Sequence, residues 1–256
     1  MSNPDSNEDR KKPSSISRRD ENAVARSSEQ RLKELLDLAK GVGSQELATH
    51  SCAALRDAAW SDHSRCVLRL VKSGATVDKL DKFGWTPLGV AADRNSANAA
   101  RALLQSGADV NAEQPAGNLS RSTGLDSELV RLLLPATAGH VAAAFGHIDI
   151  LTDLVLHGWK SESRTANGET ALHIAAWRGE VESVDFLVRK VSDVNLRDRR
   201  TGATALHWAG ASGNQEVVQL LVASGAETEA EDNSQHGFID WAADAGTGKL
   251  GIAVGA

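Results

Sequence analysis

The chain has 256 residues, 41% apolar but only 4% aromatic and without tyrosine, and carries a net charge of −6. That length and apolar content admit one or two soluble domains, the small aromatic share suits tightly packed short helices better than a β-sandwich, and the negative charge disfavours nucleic acid as the main partner. Cys52 and Cys66 are too few for a disulfide framework and have no zinc-ligand spacing, so they read as packing residues of an intracellular chain, cytoplasmic or nuclear.

Residues 1–29 are polar and charged, with too little apolar surface to offset the entropy of ordering, so a disordered tail is expected. Within it Arg10-Lys11-Lys12 and Arg18-Arg19 flank Ser14, Ser15 and Ser17. Two readings stand: a solvated charged tail, or a split nuclear-import signal or kinase target. The N-terminus has no apolar h-region and no window of about 18 apolar residues exists, so neither a signal peptide nor a membrane span is expected. Over 30–50, Leu32, Leu35, Leu36 and Ala39 recur at helical spacing before Gly41 and Gly43, which predicts a capping helix over an apolar end.

From residue 51 one pattern returns. Ala54-Leu55-Arg56-Asp57-Ala58-Ala59 is followed 33 residues on by Gly84-Trp85-Thr86-Pro87-Leu88-Gly89-Val90-Ala91-Ala92. Gly168-Glu169-Thr170-Ala171-Leu172-His173-Ile174-Ala175-Ala176 and Gly202-Ala203-Thr204-Ala205-Leu206-His207-Trp208-Ala209-Gly210 lie 34 apart, and Phe238-Ile239-Asp240-Trp241-Ala242-Ala243 lies a further 33 on. The long gap after Leu88 closes if Pro135-Ala136-Thr137-Ala138-Gly139-His140-Val141-Ala142-Ala143 is a unit with Gly139 in the leucine's place. Six units result, near 51–83, 84–111, 135–167, 168–201, 202–235 and 236–256, with an insertion at 112–134. Each motif precedes a second amphipathic segment and a Gly-rich turn, so each unit is a helix, a turn, a longer helix and a projecting finger. In the insertion, 126–134 reads as an extra helix. It either projects as a functional element or patches the core where Gly139 has removed a leucine. Residues 247–256, with their several glycines, make a weak end, the mark of a fragment or an irregular terminus.

The repeated Thr-x-Leu-His-x-Ala-Ala pattern and its period resemble the ankyrin-repeat family. The resemblance implies an all-α ankyrin solenoid with β-hairpin-like fingers, a concave face made by the first helices and fingers, a protein-interaction role and no intrinsic catalysis or cofactor. It implies further that the motif residues Thr86, Leu88, Thr137, His140, Thr170, Leu172, His173, Thr204, Leu206 and His207 are scaffold. Histidines on helices stacked about 8–10 Å apart cannot converge on one zinc, so no metal site is expected.

Partner contacts are expected from what varies. With the motif leucine at 0°, Trp208 and Trp241 fall at about 200° and Trp60 and Trp177 at about 140°, away from the Leu/Ala face. Trp60, Trp177, Trp208 and Trp241 are therefore expected along the concave groove, and Trp85 on a fingertip, as aromatic anchors; the alternative is that one or two of them cover a side chain of the neighbouring unit. Arg197, Arg199 and Arg200 on one fingertip, with Arg178 at the end of the preceding short helix, either neutralise Glu227, Glu229, Glu231 and Asp232 of the next finger or form a basic patch for an acidic or phosphorylated segment. The expected function is that of a monomeric scaffold or adaptor binding a protein. Alternatives are the substrate-targeting part of a larger enzyme such as a ligase or kinase, and a nuclear regulator using the basic tail.

Overall fold

The computed structural model describes Gln30, Lys33 and residues 44–114, 136–190 and 193–244, with side chains from Cys52 to Ala243. The expected tail, most of the capping helix, the helix at 126–134 and the terminal stretch lie outside the described residues. Among these residues there are eleven helices and no strand beyond two isolated bridges, Gln114 with Ala136 and Arg164 with Thr170. The first helices are α1 (Ser44–Trp60), α3 (Pro87–Arg94), α5 (Ala138–Ala144), α7 (Ala171–Arg178), α9 (Ala205–Ser212) and α11 (Phe238–Asp244). The second helices are α2 (Ser64–Lys72), α4 (Ala97–Gln105), α6 (Ile148–Leu156), α8 (Val181–Val188) and α10 (Gln215–Ala223).

First helices pack on first helices and second on second, which makes a two-layer solenoid with one continuous core. Small side chains allow the close stacking: Ala91, Ala92, Ala142, Ala143, Ala175, Ala176 and Ala209 are fully enclosed between layers. Leu55, Leu88, Leu172 and Leu206 fill the space between the two helices of their own units. Helix α1 differs from the sequence reading, since it runs without a break across the boundary placed at residue 50. It contains neither Gly nor Pro to stop it.

The histidine units share one lock. In α5, α7 and α9 the N-cap threonine accepts the histidine's backbone N–H, and Nδ1 of His140, His173 and His207 accepts the N–H of Thr137, Thr170 and Thr204 at 3.2 Å. An Nδ1 that accepts leaves the proton on Nε2. That N–H donates onward to the carbonyls of Ser163 (3.0 Å), Ala203 (3.2 Å) and His236 (3.1 Å). Both ring nitrogens are thus spent on tying a helix start to a finger. Burial holds His140 and His173 down to about 4 and lowers His207 as well, because an imidazolium here would be stripped of water.

Two units depart from the pattern and are repaired by a residue elsewhere. A Cβ on Gly139 would lie 2.0 Å from the ring of Trp159, so the indole occupies the volume that leucine fills in other units. Trp159 is only 4% exposed, donates Nε1–H to Thr137 Oγ1 at 2.9 Å and meets the His140 ring edge-on. It stands where Ala75, Ala108 and Ala226 follow the turn glycine of their units, so the large and small partners have been exchanged. Trp159 therefore repacks the site of the missing leucine, a role left open for the insertion. In the preceding unit Gly89 replaces histidine, and the buried Gln114 amide lies over it, 2.2 Å from where a Cβ would be.

Candidate protein-interaction surface

A first helix of eight residues is about 12 Å long. Its start is fixed to the fingers and its end lies at the turn into the second helix, so groups around the motif threonine and groups at the helix end form two separate zones. The expected site residues divide between them, and two fall in neither.

Trp208 is 4% exposed and Trp85 3% exposed, which corrects their expected places on the groove and on a fingertip. The position two after the motif leucine is buried in the four units where Val90, Val141, Ile174 and Trp208 hold it, and Trp208 there faces Trp241 on the first helix of the next unit. A wheel drawn for one helix omits that neighbour. Trp208 lies edge-on to His173 and 6.2 Å from the Trp241 ring, and its Nε1–H donates to Asp198 Oδ2 at 3.2 Å. Trp241 repeats the arrangement with His207 and Asp232 (3.0 Å) but is half-buried. Trp85 sits at a finger's base, where its N–H donates to Asp81 Oδ1 and its carbonyl accepts the Asp81 N–H.

Trp60 and Trp177 hold equivalent positions at the ends of α1 and α7 and are half-buried. Between them in that register come Asp93 at the end of α3 and Ala144 at the end of α5. One residue further on, cations lie against the rings of the preceding unit. The Arg94 guanidinium is 4.0 Å from the Trp60 ring centre, and that of Arg178 is 5.7 Å from Phe145 while its Nε–H donates to the Ala144 carbonyl at 3.2 Å. Arg178 is therefore an inter-unit tie as well as part of the groove lip. His147 adds another, its Nδ1–H donating to the Ala92 carbonyl at 2.7 Å.

In the finger zone, Arg199 and Arg200 are exposed. Their finger is rigid: Asp198 accepts N–H groups from Arg200 (2.9 Å) and Thr201 (2.6 Å), the Thr201 hydroxyl and the Trp208 indole. Burial pushes the Asp198 carboxyl up, but these donors outweigh it and hold it below its ordinary value. Arg164 donates to the carbonyls of Gly168 and Arg197, and Arg197 one unit later to those of Gly202 and Glu231. Among the described residues none of these four arginines meets a carboxylate within 4.0 Å, so their charge faces outward uncompensated by a direct pair. An open hollow of about 560 Å³ beside them is lined by Glu113, Glu162, Arg164, Thr165, Ala166 and Arg199. The fingers thus offer forked donors on a fixed backbone, and the helix ends offer aromatic rings and the carboxylates of Asp93 and Glu180.

Sequence reasoning missed Trp159, Asp93, Arg94 and Arg164, and it placed Arg197 on the basic fingertip without its repeat partner Arg164. Aligning the units would have found the first, since Trp159 falls twenty residues after Gly139, the same interval as Ala75 after Leu55. The Arg164 and Arg197 pair shows as an arginine repeated 33 residues on.

Comparison with known proteins agrees with the geometry. Residues 22–114 and 139–232 match the family model for ankyrin repeats in three copies. Protein phosphatase 1 regulatory subunit 27 of Homo sapiens is 42% identical over 67 residues, which is 26% of this chain and 44% of the relative, and the Mus musculus protein of that name matches equally. The chain thus spans less than half the length of these relatives.

Proposed function

The chain belongs to the ankyrin-repeat family, and on that premise we propose that it is a non-catalytic scaffold holding a partner protein across its first-helix ends and fingers. The observation that carries this reading is the division of labour within the array. The repeated Thr, Leu, His and Ala groups have their polar atoms and surfaces satisfied internally, whereas Trp60, Trp177, Arg199 and Arg200 keep surface or charge available on a rigid frame. Partly exposed aromatics and arginines on preorganised backbone are what binding hot spots are made of.

The basic finger fits an acidic or phosphorylated segment, whose oxygens match the guanidinium fork. The relatives' name makes the protein phosphatase 1 catalytic subunit the first partner to test. The test is capture of that subunit, and in parallel unbiased co-purification, using the intact chain, a Trp177→Ala variant and an Arg199→Glu/Arg200→Glu variant. Loss of partner in the aromatic variant, and loss with a flattened salt dependence in the charge-reversed one, is expected. Full retention by both would place binding elsewhere on the molecule.

A further inference from the structure

Asp93 lies in the middle of the groove lip and forms no direct pair with any described residue. Its register along the ends of the first helices is Trp60, Asp93, Ala144, Trp177, so a carboxylate and a small residue sit between two tryptophans. The half-buried carboxyl makes neither a hydrogen bond nor an ion pair with any described residue. The obvious counter-ion, Arg94, is stacked on Trp60 instead. Of the other charged groups at this end, Glu180 lies at the turn after Arg178, over Gly146, and feels that arginine's charge. Asp62 accepts the Ala99 N–H (2.8 Å) and the Asn98 amide (2.7 Å), Arg178 is tied to Ala144, and burial keeps His147 neutral while its Nδ1–H serves Ala92. A carboxylate taken out of water without compensation costs stability, and such a group in a concave surface is expected where a ligand supplies the missing charge.

We infer that Asp93 anchors a cationic side chain, lysine or arginine, of a partner segment lying along the groove, with Trp60 and Trp177 bracketing the residues to either side. The inference rests on the scaffold reading and adds the partner's chemistry to it. Charge decides the occupant: an acidic or apolar side chain would leave the carboxylate repelled or still unpaired, whereas a guanidinium or ammonium pairs with it. Burial raises the Asp93 carboxyl to about 6, against a smaller opposing pull from Arg94, so at pH 7.5 it is ionised and an incoming cation would draw the value back down.

The experiment uses the intact chain with acetyl-arginine amide as probe and acetyl-citrulline amide as its uncharged counterpart. Binding is followed by NMR at the Trp60 indole and the Asp93 carboxyl. The arginine amide should bind saturably and several-fold more tightly than the citrulline amide at pH 7.5, and Asp93→Asn, whose melting temperature checks its fold, should abolish the difference. Equal binding of the two probes, or a preference that survives Asp93→Asn, overturns the inference. With a captured partner, Asp93→Asn should weaken affinity about tenfold. Full affinity in Asp93→Asn alongside loss in Trp177→Ala would remove the cation and leave the groove; full affinity in both would remove the groove as well.

Discussion

The two halves of the solenoid are built from the same helix pairs and held by different locks. In residues 136–244 three neutral histidines join helix starts to fingers. In residues 44–114 no histidine does this work; the Gln114 side chain fills the space over Gly89 without a hydrogen bond to a described residue, and the helix ends carry the stacked Trp60 and Arg94 and Asp93, which pairs with no described residue. The first design ties its histidines inside and leaves a ligand the Trp177 ring and the outward Arg199 and Arg200 side chains. The second leaves a carboxylate unsatisfied at the surface that a ligand would meet.

The exchange of Gly139 and Trp159, at the start of the histidine half, gives the largest test of how that half is packed. Trp159→Ala removes a buried indole and exposes the hole left by Gly139, at a cost of about 3–5 kcal/mol. Gly139→Leu alone forces a side chain into the indole and should cost about 1–3 kcal/mol or more. Together they rebuild the pairing used by Leu206 and Ala226, and most of the loss should return. Denaturant unfolding of the two single variants and the double variant measures this, and additive losses would show that the two sites do not share one space.

Lowering the pH from 7.5 to 5 should move the halves in opposite directions. The histidines ionise near 6.5 when unfolded and, for His140 and His173, near 4 when folded. Between those values the unfolded chain binds more protons, so stability falls with pH, by about 2 kcal/mol for each of the two at pH 5. Asp93 has the reverse sign. Its folded value of about 6 lies above the ordinary aspartate value of 3.8, so the native state binds the extra proton and the 44–114 half gains about 1 kcal/mol as the pH falls. Amide hydrogen exchange resolved by repeat should show protection lost from α5, α7 and α9 and kept or raised in α3. Uniform loss along the array would mean that it opens as one unit.

The repeat and its phase were legible in the sequence because a solenoid writes its core once per unit, and Leu172 and Leu206 announce it twice in nearly the same words. The orientation of the tryptophans was not. Trp208 and Trp85 look exposed on a single helix or finger, and only the neighbouring unit, about 8–10 Å away, buries them. The pairing of Trp159 with Gly139 was written in the sequence but divided between a motif and a turn, and each half looked like a local defect. Asp93 was invisible for another reason. Nothing in the adjacent letters Asp93-Arg94 shows that the arginine turns to Trp60 and leaves the acid alone.

Asp93→Asn sharpens the comparison further. The amide keeps the shape and removes the buried charge, so at pH 7.5 the 44–114 half should gain about 1 kcal/mol, and its response to acid should flatten while that of the histidine half stays. A loss of stability would mean that the carboxylate is compensated within the fold and is not held in reserve for a cation.

The smallest effect belongs to Arg178. It resembles Arg94 in lying against an aromatic ring of the preceding unit, but its Nε–H also donates to the Ala144 carbonyl. Arg178→Ala removes one half-buried charged donor and its stacking, worth about 1 kcal/mol together, or roughly 2–4 °C in melting temperature for a domain of this size. Arg94→Ala lacks the hydrogen-bond component and has a second consequence, since it removes the cation nearest Asp93. It should therefore raise the Asp93 pKa above about 6 while costing less stability than Arg178→Ala. Carboxyl NMR titration of Asp93 in both variants reads this directly, because only Arg94→Ala should move the midpoint.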